Sequence, residues 1–525
     1  MTPPSRTALV PACVIGAFAC AFAVVKPTNF AGFDEWLVLW LTTHGVLGAP
    51  YSNRPLNFLW PMPGAWLTPG FLGFHVMHMA YLAGTGLATR TLVRLVAPGQ
   101  EELATIAGLA AAVFVPADMA RLSSVQMTLV SGSTLGTMLA LIGFVEAVNR
   151  RRPLLLAAAA ALAFVTVRSY EATLAVLVAG PLLLSRALPG PYPRRLVIGW
   201  YAVLALAGAL VVAPHLFGGR ALYQTSIWGF DPRPLEVLHR LLRQFLFHLG
   251  PLVKPGLAAL PSAAALAAAI LGVLAVVLSP ASPRDRDEPS ASPSAGRALG
   301  RLILVGAGLS AAAYFPFTLS ARLDAPHRSQ MAAAPWIGIV LGAAVEAMGL
   351  LTFGRRRTLL AAGLAGWIVL VGAGRTAALQ QAWDGQSRYP AQMRSLSDLM
   401  RLAPALEPHT LVVALEEGEP QVWPSVFGFR HAVQYLYRDR ATGYVVDGLE
   451  LMYPTRKTGE GLRTDTWPEL RRPWGVEPTL HRYEELLVVR IAPGGALTLA
   501  STWPGSVLGG LPAGARYAPG ERIRN

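Results

Sequence analysis

The stretch LVIGWYAVLALAGALVVAP, residues 196–214, carries no charged side chain. As a helix it is long enough to cross a bilayer's hydrocarbon core of about 30 Å. Apolar runs of this kind recur through the first 375 residues, and the chain has a mean hydropathy of +0.44 with only 14% charged residues. The sequence therefore predicts an α-helical polytopic membrane protein with about eleven transmembrane helices. The predicted spans are residues 7–25, 71–89, 103–120, 126–147, 153–168, 172–185, 196–214, 260–279, 299–318, 331–353 and 357–375.

Positive charge is concentrated in short segments between these runs. The 44 Lys and Arg residues exceed the 30 Asp and Glu residues, giving a net charge of +14 that alone would also suit a nucleic-acid binder. The clusters at 149–152, 194–195 and 355–357 lie instead where cytoplasmic loops of a membrane protein carry Arg and Lys. We interpret the charge as a topology signal, and expect the lipid bilayer, and no nucleic acid, as a partner.

Alternation of the spans gives a consistent topology with a cytoplasmic N-terminus. We interpret residues 7–25 as a retained anchor, with a cleaved signal peptide as the alternative. The Pro-, Ser- and charge-rich linker 281–301 then falls in the cytoplasm. A transmembrane domain over 1–375 and an extracytoplasmic domain over 376–525 follow. The excess of Arg over Lys indicates a GC-rich, bacterial genome and hence the inner (plasma) membrane. The segments expected outside are 26–70, 116–124, 168–171, 214–259 and 320–330.

The last 150 or so residues lack long apolar runs and predict a small α+β domain. A helix is expected at 393–406, with strands at 410–415, 441–446, 485–491 and 496–500. The domain's tryptophans Trp423, Trp467, Trp474 and Trp503 are candidates for stacking on sugars, and burial in the core is the alternative.

The first outside loop, 26–70, is too long and too aromatic for a simple connector. Asp34 and Glu35 begin an apolar stretch, 36–41, that predicts an interfacial helix with its tryptophans at headgroup level. Adjacent helical residues differ in direction by about 100°, so only one of the two carboxylates can act on a given atom. The alternative role of the pair is to cap the helix N-terminus. Arg54 follows about 20 residues later.

Two further outside segments gather charged residues. Arg168, Tyr170 and Glu171 lie in a very short turn between apolar runs, where a charge pair needs partners or a cavity; mutual neutralisation is the alternative. In the loop that follows the span 299–318, arginine suits phosphate because its planar fork binds two oxygens. We do not interpret the histidine of that loop as catalytic. The charged residues of that loop are Arg322, Asp324, His327 and Arg328.

Motifs for cofactors are missing from the sequence. There is no HExxH, no CxxC and no carboxylate spacing typical of a cation site. A P-loop and a GxGxxG at a strand-to-helix turn are also missing, which argues against nucleotide-driven transport. We therefore expect neither a metal nor another cofactor.

The acidic pair after the first span, in a loop with a membrane-parallel helix, resembles the GT-C superfamily of membrane glycosyltransferases, which includes protein mannosyltransferases and arabinosyltransferases. The resemblance covers the topology of about 375 residues and the DE pair Asp34 and Glu35. It implies transfer of a sugar from a polyprenyl-phosphate-linked donor to an acceptor hydroxyl of a glycan, lipid or protein, with inversion, on the extracytoplasmic face. Asp34 would be the base, with Glu35 as the alternate. The residues implied to bind phosphate are Arg54, Arg168, Arg322 and Arg328, with Tyr170, Glu171, Asp324 and His327 in support.

Two other classes of function stay open. An O-antigen ligase or polymerase type of enzyme would place its basic residues in a late outside loop, 214–259 or 320–330. A lipid or sugar flippase or transporter would show internal repeats and interrupted helices, and we find no convincing repeat. The sugar, the acceptor and the oligomeric state cannot be inferred from the sequence.

Overall fold

The computed structural model divides the chain into two compact units. The first, the helical unit, comprises Met1–Lys26, Ser52–Trp60 and His75–Ala382. The second, the mixed unit, comprises Pro27–Tyr51, Pro61–Phe74 and Trp383–Asn525. Most of the first outside loop thus joins the C-terminal part of the chain, whereas the sequence assigned that loop to the transmembrane domain. The structure describes residues 6–49, 53–114, 119–184, 194–217, 229–254, 262–280, 293–320, 328–352 and 355–524.

Eleven helices of this structure overlap the eleven predicted spans, one for each. Five segments are long and apolar enough to cross a membrane: Ser124–Asn149, Arg194–Ala213, Gly296–Thr318, Ser329–Gly349 and Arg356–Leu402. Others are apolar but shorter, among them Ala8–Phe22 and Ala263–Val277, so the count of eleven spans stays a prediction. The eleven helices are α1 (Arg6–Phe22), α4 (Leu72–Val96), α5 (Glu101–Val113), α6 (Ser124–Asn149), α7 (Pro153–Ser169), α8 (Leu174–Leu184), α9 (Arg194–Phe217), α11 (Ala263–Val277), α12 (Pro293–Thr318), α13 (Arg328–Gly349) and α14 (Arg355–Gln386).

Small residues allow a close helix contact in the helical unit, between α13 and α5. A Cβ atom on Gly338 would lie 2.5 Å from the backbone oxygen of Ala107, and one on Gly342 would lie 2.8 Å from that of Leu103. Glycines four residues apart occupy one face of a helix and let two backbones approach, as is common in membrane helix pairs. This packing explains the Gly-rich pattern of the spans.

Helix α10 (Pro234–Val253) of the helical unit is amphipathic, and two of its polar side chains face the protein. Gln244 and His248 are buried, whereas Leu235 and Leu246 are 80% and 71% exposed. The exposed face also carries His239 and Arg243, and such a mixture of leucines and cations is typical of an amphipathic helix at a membrane surface.

The mixed unit has an α/β core rather than the expected α+β arrangement. Its four-stranded sheet has the order β3-β2-β7-β8, in which β2 pairs in parallel with both β3 and β7, and β8 is antiparallel to β7. Helix α16 (Val426–Leu436) connects β2 to β3 as a βαβ crossover. Its N-cap, Ser425, accepts a hydrogen bond from the Gly428 amide. The sheet's strands are β2 (Thr410–Glu416), β3 (Ala441–Val445), β7 (Leu486–Ile491) and β8 (Leu497–Leu499).

The four strands of this sheet confirm the four predicted ones within a residue or two, because their apolar residues are buried on the sheet. Two small antiparallel sheets, β4-β5-β6 and β1-β9, complete the mixed unit. The predicted helix at 393–406 begins and ends earlier, as α15. The remaining elements are α2 (Glu35–Thr43), α3 (Met62–Leu67), α15 (Tyr389–Leu402), α17 (Pro468–Trp474), α18 (Gly505–Leu508), β1 (Ala405–Leu406), β4 (Thr455–Lys457), β5 (Gly461–Thr464), β6 (Thr479–Arg482) and β9 (Ile523–Arg524).

Helix α2 is where the sequence predicted an interfacial helix. It forms, but residues 35–42 are buried, and the helix packs on α16 inside the mixed unit. Trp36 and Trp40 are each only 5% exposed. The expectation that these tryptophans lie at headgroup level was therefore wrong, because the protein itself covers them.

Candidate functional site

Asp34 and Glu35, the predicted catalytic pair, have different environments. The Glu35 side chain is fully buried, and its carboxylate accepts hydrogen bonds from the amides of Ala31 at 2.7 Å and Gly32 at 3.2 Å. Gly32 has a left-handed φ of +91°, which brings its amide toward the carboxylate. Burial raises the pKa of Glu35 to about 7, against the opposing effect of these hydrogen bonds. Glu35 thus organises the loop that precedes α2.

Asp34 is half-buried and is the residue immediately before α2. Its carboxylate does not cap the helix, although its backbone oxygen accepts from the Val38 amide at 2.8 Å. Of the two carboxylates, Asp34 is the one that solvent or a substrate can reach. Capping, the alternative role for the pair, is therefore not what the Asp34 side chain does.

Side-chain hydrogen bonds fix α2, and with it Asp34, in the mixed unit. The Trp36 indole donates to Gln392 Oε1 at 3.0 Å, and the Trp40 indole donates to Asp439 Oδ1 at 2.7 Å. His44 Nε2 lies 2.9 Å from the other Asp439 oxygen. Buried hydrogen bonds of this kind contribute about 1 kcal/mol each. The start of α2 is therefore a rigid position for a reactive carboxylate.

Trp36 also lines a cavity of about 370 Å³ within the mixed unit. Its other walls include Phe71, Tyr389, Met393 and Tyr435. Trp36 packs edge-on against Phe71, with 5.0 Å between ring centroids. An aromatic cavity thus begins two residues beyond Asp34, and sequence reasoning missed it because Phe71 and Tyr389 lie far apart in the chain.

In the helical unit Arg54 contacts Tyr170 and Glu171, three residues that the sequence named as site residues without predicting that they meet. Arg54 binds Glu171 with two hydrogen bonds, Nε to Oε2 at 2.6 Å and Nη2 to Oε1 at 2.5 Å. Its guanidinium also lies 5.0 Å from the centre of the Tyr170 ring. The two charged side chains are only 12% and 18% exposed. Glu171 therefore neutralises Arg54, and not Arg168 as the alternative had it.

Arg168 differs from Arg54 because part of its guanidinium is unsatisfied. It lies in the last turn of α7 and is half-buried. Its Nη1 is buried and makes no hydrogen bond to any residue that the structure describes. Glu171 is close enough to influence it electrostatically, but both Glu171 oxygens bind Arg54. A buried guanidinium nitrogen without an acceptor requires an explanation, and an oxyanion ligand is one.

The third predicted group lies largely outside the described residues. This holds for Arg322, Asp324 and His327, while Arg328 is described only as the first residue of α13. Their predicted roles stay predictions. No group of three or more potential metal ligands occurs within the described ranges.

A row of buried polar residues on α10 was missed by sequence reasoning. Gln244 Oε1 accepts from Ser329 at 3.0 Å and from Gln330 at 2.8 Å. His248 Nε2 contacts the Phe114 carbonyl at 3.3 Å, so Nε2 carries the proton, and Nδ1 accepts from the Tyr314 hydroxyl at 2.7 Å. The signal was present in the sequence, because Arg240, Gln244 and His248 follow one another every fourth residue in a leucine-rich segment.

The fold and these residues define an integral membrane protein that combines a helical unit with an α/β unit. No protein-family model and no curated protein matches the sequence. Two solved structures of an Archaeoglobus fulgidus oligosaccharyltransferase are similar to the chain. One is tethered to an acceptor peptide containing the NVT sequon, and the other, named AglB, is in complex with an inhibitory peptide and a dolichol-phosphate.

Both likenesses are distant. The first has 14% identity and a TM-score of 0.37 over 82% of this chain and 63% of that one. The second has 14% identity and a TM-score of 0.40 over 83% and 64%. The chain spans less than two thirds of the length of these enzymes, and at such scores the likeness assigns no residue a role.

Proposed function

We propose that the protein is a membrane glycosyltransferase of the GT-C type that moves a sugar from a polyprenyl-phosphate donor to an acceptor hydroxyl. The observation that carries the proposal is the buried Nη1 of Arg168 at the end of an apolar helix, which has no hydrogen-bond partner among the described residues. A cation in that position is costly without an anionic partner. A lipid-linked phosphate reaches such a position from within the membrane plane.

In this proposal Arg54 and Arg168 have different tasks. Glu171 already accepts hydrogen bonds from Nε and Nη2 of Arg54, so the pair carries no net charge. Its task in this proposal is to shape the site. Arg168 supplies the remaining positive charge and an N–H donor. Such a donor stabilises a leaving phosphate more strongly as its charge develops.

Asp34 is the proposed base. Its carboxylate takes the proton of the acceptor hydroxyl, the hydroxyl oxygen bonds to the anomeric carbon, and the bond from that carbon to the phosphate oxygen breaks. The phosphate leaves with the electron pair, and a single displacement inverts the anomeric configuration. Glu35 is excluded from this role because it is fully buried and bound to two amides. The aromatic cavity beside Trp36 offers a surface for the acceptor, whether glycan, lipid or protein.

The proposal includes a direction across the membrane. We place the N-terminus in the cytoplasm and the reaction on the extracytoplasmic face of a bacterial inner membrane. The exposed Arg150, Arg151 and Arg152, and likewise Arg194 and Arg195, support a cytoplasmic position for the loops that contain them.

The test uses the full chain reconstituted in liposomes with a radiolabelled polyprenyl-phosphate sugar and a panel of acceptors. Arg168→Ala should lower kcat by about 100-fold or more, as is typical for the loss of one preorganised donor to developing charge. Asp34→Asn should abolish transfer. Arg151→Ala and Asp447→Asn are the matched controls, because both side chains are exposed.

Full transfer by Arg168→Ala and Asp34→Asn would refute the proposal. Transfer only from a pyrophosphate-linked oligosaccharide would indicate an O-antigen ligase type of enzyme instead. Movement of the donor between leaflets without sugar transfer would indicate a flippase.

A further inference from the structure

A second cavity, of about 320 Å³, lies in the mixed unit at the end of the four-stranded sheet where β2 and β3 begin. Its walls include His409, Arg438, Arg440, Thr442 and His481. None of these residues belongs to the proposed transfer reaction. The cavity is within the size range of small-molecule sites, of about 300 Å³ and above.

The backbone around this cavity is unusual. His409, Arg438 and Asp439 have φ values of +65°, +51° and +62°, and all three line the cavity. Only six non-glycine residues have a positive φ within the described ranges. A helix such as α16 needs only one left-handed residue to end, and that residue is usually glycine. Two successive left-handed residues, Arg438 and Asp439, are more than the end of the helix requires. Strained residues from two separate loops that meet at one cavity are typical of a binding site.

The charges at the rim favour an anion. Arg438 and Arg440 are exposed, and neither forms a salt bridge within the part of the chain that the structure describes. The carboxylate between them, Asp439, is bound to Trp40 and His44. Two guanidinium groups are thus left to share one rim, and planar guanidinium forks match carboxylate and phosphate oxygens.

We call His481 and Thr442 the floor of the cavity. The floor requires a ligand that donates a hydrogen bond. His481 is only 2% exposed, and its Nδ1 lies 2.8 Å from the His409 carbonyl. A carbonyl only accepts, so Nδ1 carries the proton and Nε2 offers a lone pair. That Nε2 is buried and has no hydrogen-bond partner among the described residues, and the same is true of Thr442 Oγ1. Burial also lowers the pKa of His481, which keeps its ring neutral near pH 7.

We propose that this cavity binds an acidic saccharide, with its carboxylate on Arg438 and Arg440 and a hydroxyl donated to His481 Nε2. A neutral sugar would leave both arginines unused. An inorganic phosphate dianion keeps one O–H, but that hydroxyl is on the same phosphorus as the oxygens that the arginines would bind, so the ion spans less of the cavity than a saccharide does. The ligand that satisfies the rim and the floor together carries an anionic group and hydroxyl groups on one small frame. This site is independent of the proposed transferase reaction.

The test measures binding of glucuronate, glucose and inorganic phosphate to the purified full chain in detergent by isothermal titration calorimetry. We expect glucuronate to bind, and glucose and phosphate to bind at least tenfold more weakly. Arg438→Ala combined with Arg440→Ala should weaken glucuronate binding by about tenfold or more. Arg394→Ala combined with Arg472→Ala removes the same charge from exposed positions outside the cavity and should leave binding unchanged.

The floor is tested by His481→Asn, because the asparagine amide can still donate to the His409 carbonyl but offers no acceptor at the Nε2 position. It should weaken glucuronate binding and leave binding of phosphate unchanged. If this variant does not fold, Thr442→Val tests the same floor with a side chain of equal shape. The proposal is overturned if wild type does not bind glucuronate, if phosphate or glucose binds equally well, if the control pair weakens binding as much, or if both floor variants bind normally.

Discussion

A rise in pH from 5 to 8 should destabilise the protein through one buried carboxyl group, that of Glu35. The folded protein holds this proton more tightly than the unfolded chain, because burial raises the pKa from 4.5 to about 7. Between these two values the unfolded state binds fewer protons, so the free energy of unfolding falls as the pH rises, and it levels off above about 7. The difference of about 2.5 pKa units corresponds to about 3 kcal/mol.

The measurement is the unfolding of the full chain in detergent at pH 5 and pH 8, for wild type and for Glu35→Gln. Glutamine does not titrate, so the variant should lose about 2.5 kcal/mol less than wild type between the two pH values, since a small part of the effect lies below pH 5. Its absolute stability is not the criterion, because its amide can accept from only one of the Ala31 and Gly32 amides and has a cost of its own at every pH.

Other groups also contribute to the pH dependence, and the comparison of variants removes their contribution. Glu416 has a raised pKa as well, because it is partly buried, and it contributes equally to both proteins. Glu460→Gln serves as the control, since Glu460 is exposed and should leave the pH dependence of wild type unchanged. Parallel loss of stability in wild type and Glu35→Gln would show that the buried Glu35 carboxyl does not cause the pH dependence.

Three further predictions concern packing and buried pairs, each measured by unfolding of the full chain in detergent. Gly338→Val should destabilise the protein by roughly 1–3 kcal/mol, since its Cβ would lie 2.5 Å from a backbone oxygen of α5, whereas Gly363→Val, which meets no atom within 4 Å, should have a smaller effect. Trp40→Phe should cost about 1–2 kcal/mol through loss of the hydrogen bond to the Asp439 carboxylate, and an unchanged stability would contradict the anchoring of α2. Arg357→Ala should cost about 3 kcal/mol, because Glu346 is 2% exposed and is left without this cation; Arg356→Ala, at an exposed neighbour, is its control.

The helices of the membrane region could be predicted from the sequence because lipid imposes a simple rule. A helix must be long, apolar and internally hydrogen-bonded, and each condition is visible in one continuous stretch such as 196–214. The strands β2 and β7 were predictable for a similar reason, since both are short Val- and Leu-rich runs between polar loops.

The place of α2 could not be predicted, because an apolar helix with tryptophans suits a membrane surface and a protein core equally well. The partners that decide the matter, Gln392 and Asp439, come more than 350 residues later in the chain. The same holds for Arg54 and Glu171. The sequence marked each as a site residue, but the 117 positions between them concealed that they bind each other.

Helix geometry explains why two adjacent carboxyl groups have separate tasks in this chain. Consecutive helical positions point about 100° apart, so when Glu35 turns toward the Ala31 and Gly32 amides, Asp34 cannot follow it. The buried member then holds the loop in place, and the half-buried member stays accessible at the end of an anchored helix. A base needs access to the substrate and a fixed position. Asp34 has the access, and Glu35 fixes the loop that holds Asp34. For this reason Glu35→Gln should alter stability and its pH dependence, whereas Asp34→Asn should alter transfer and leave stability almost unchanged. If instead Asp34→Asn unfolds the protein and Glu35→Gln alone abolishes transfer, the two roles are reversed.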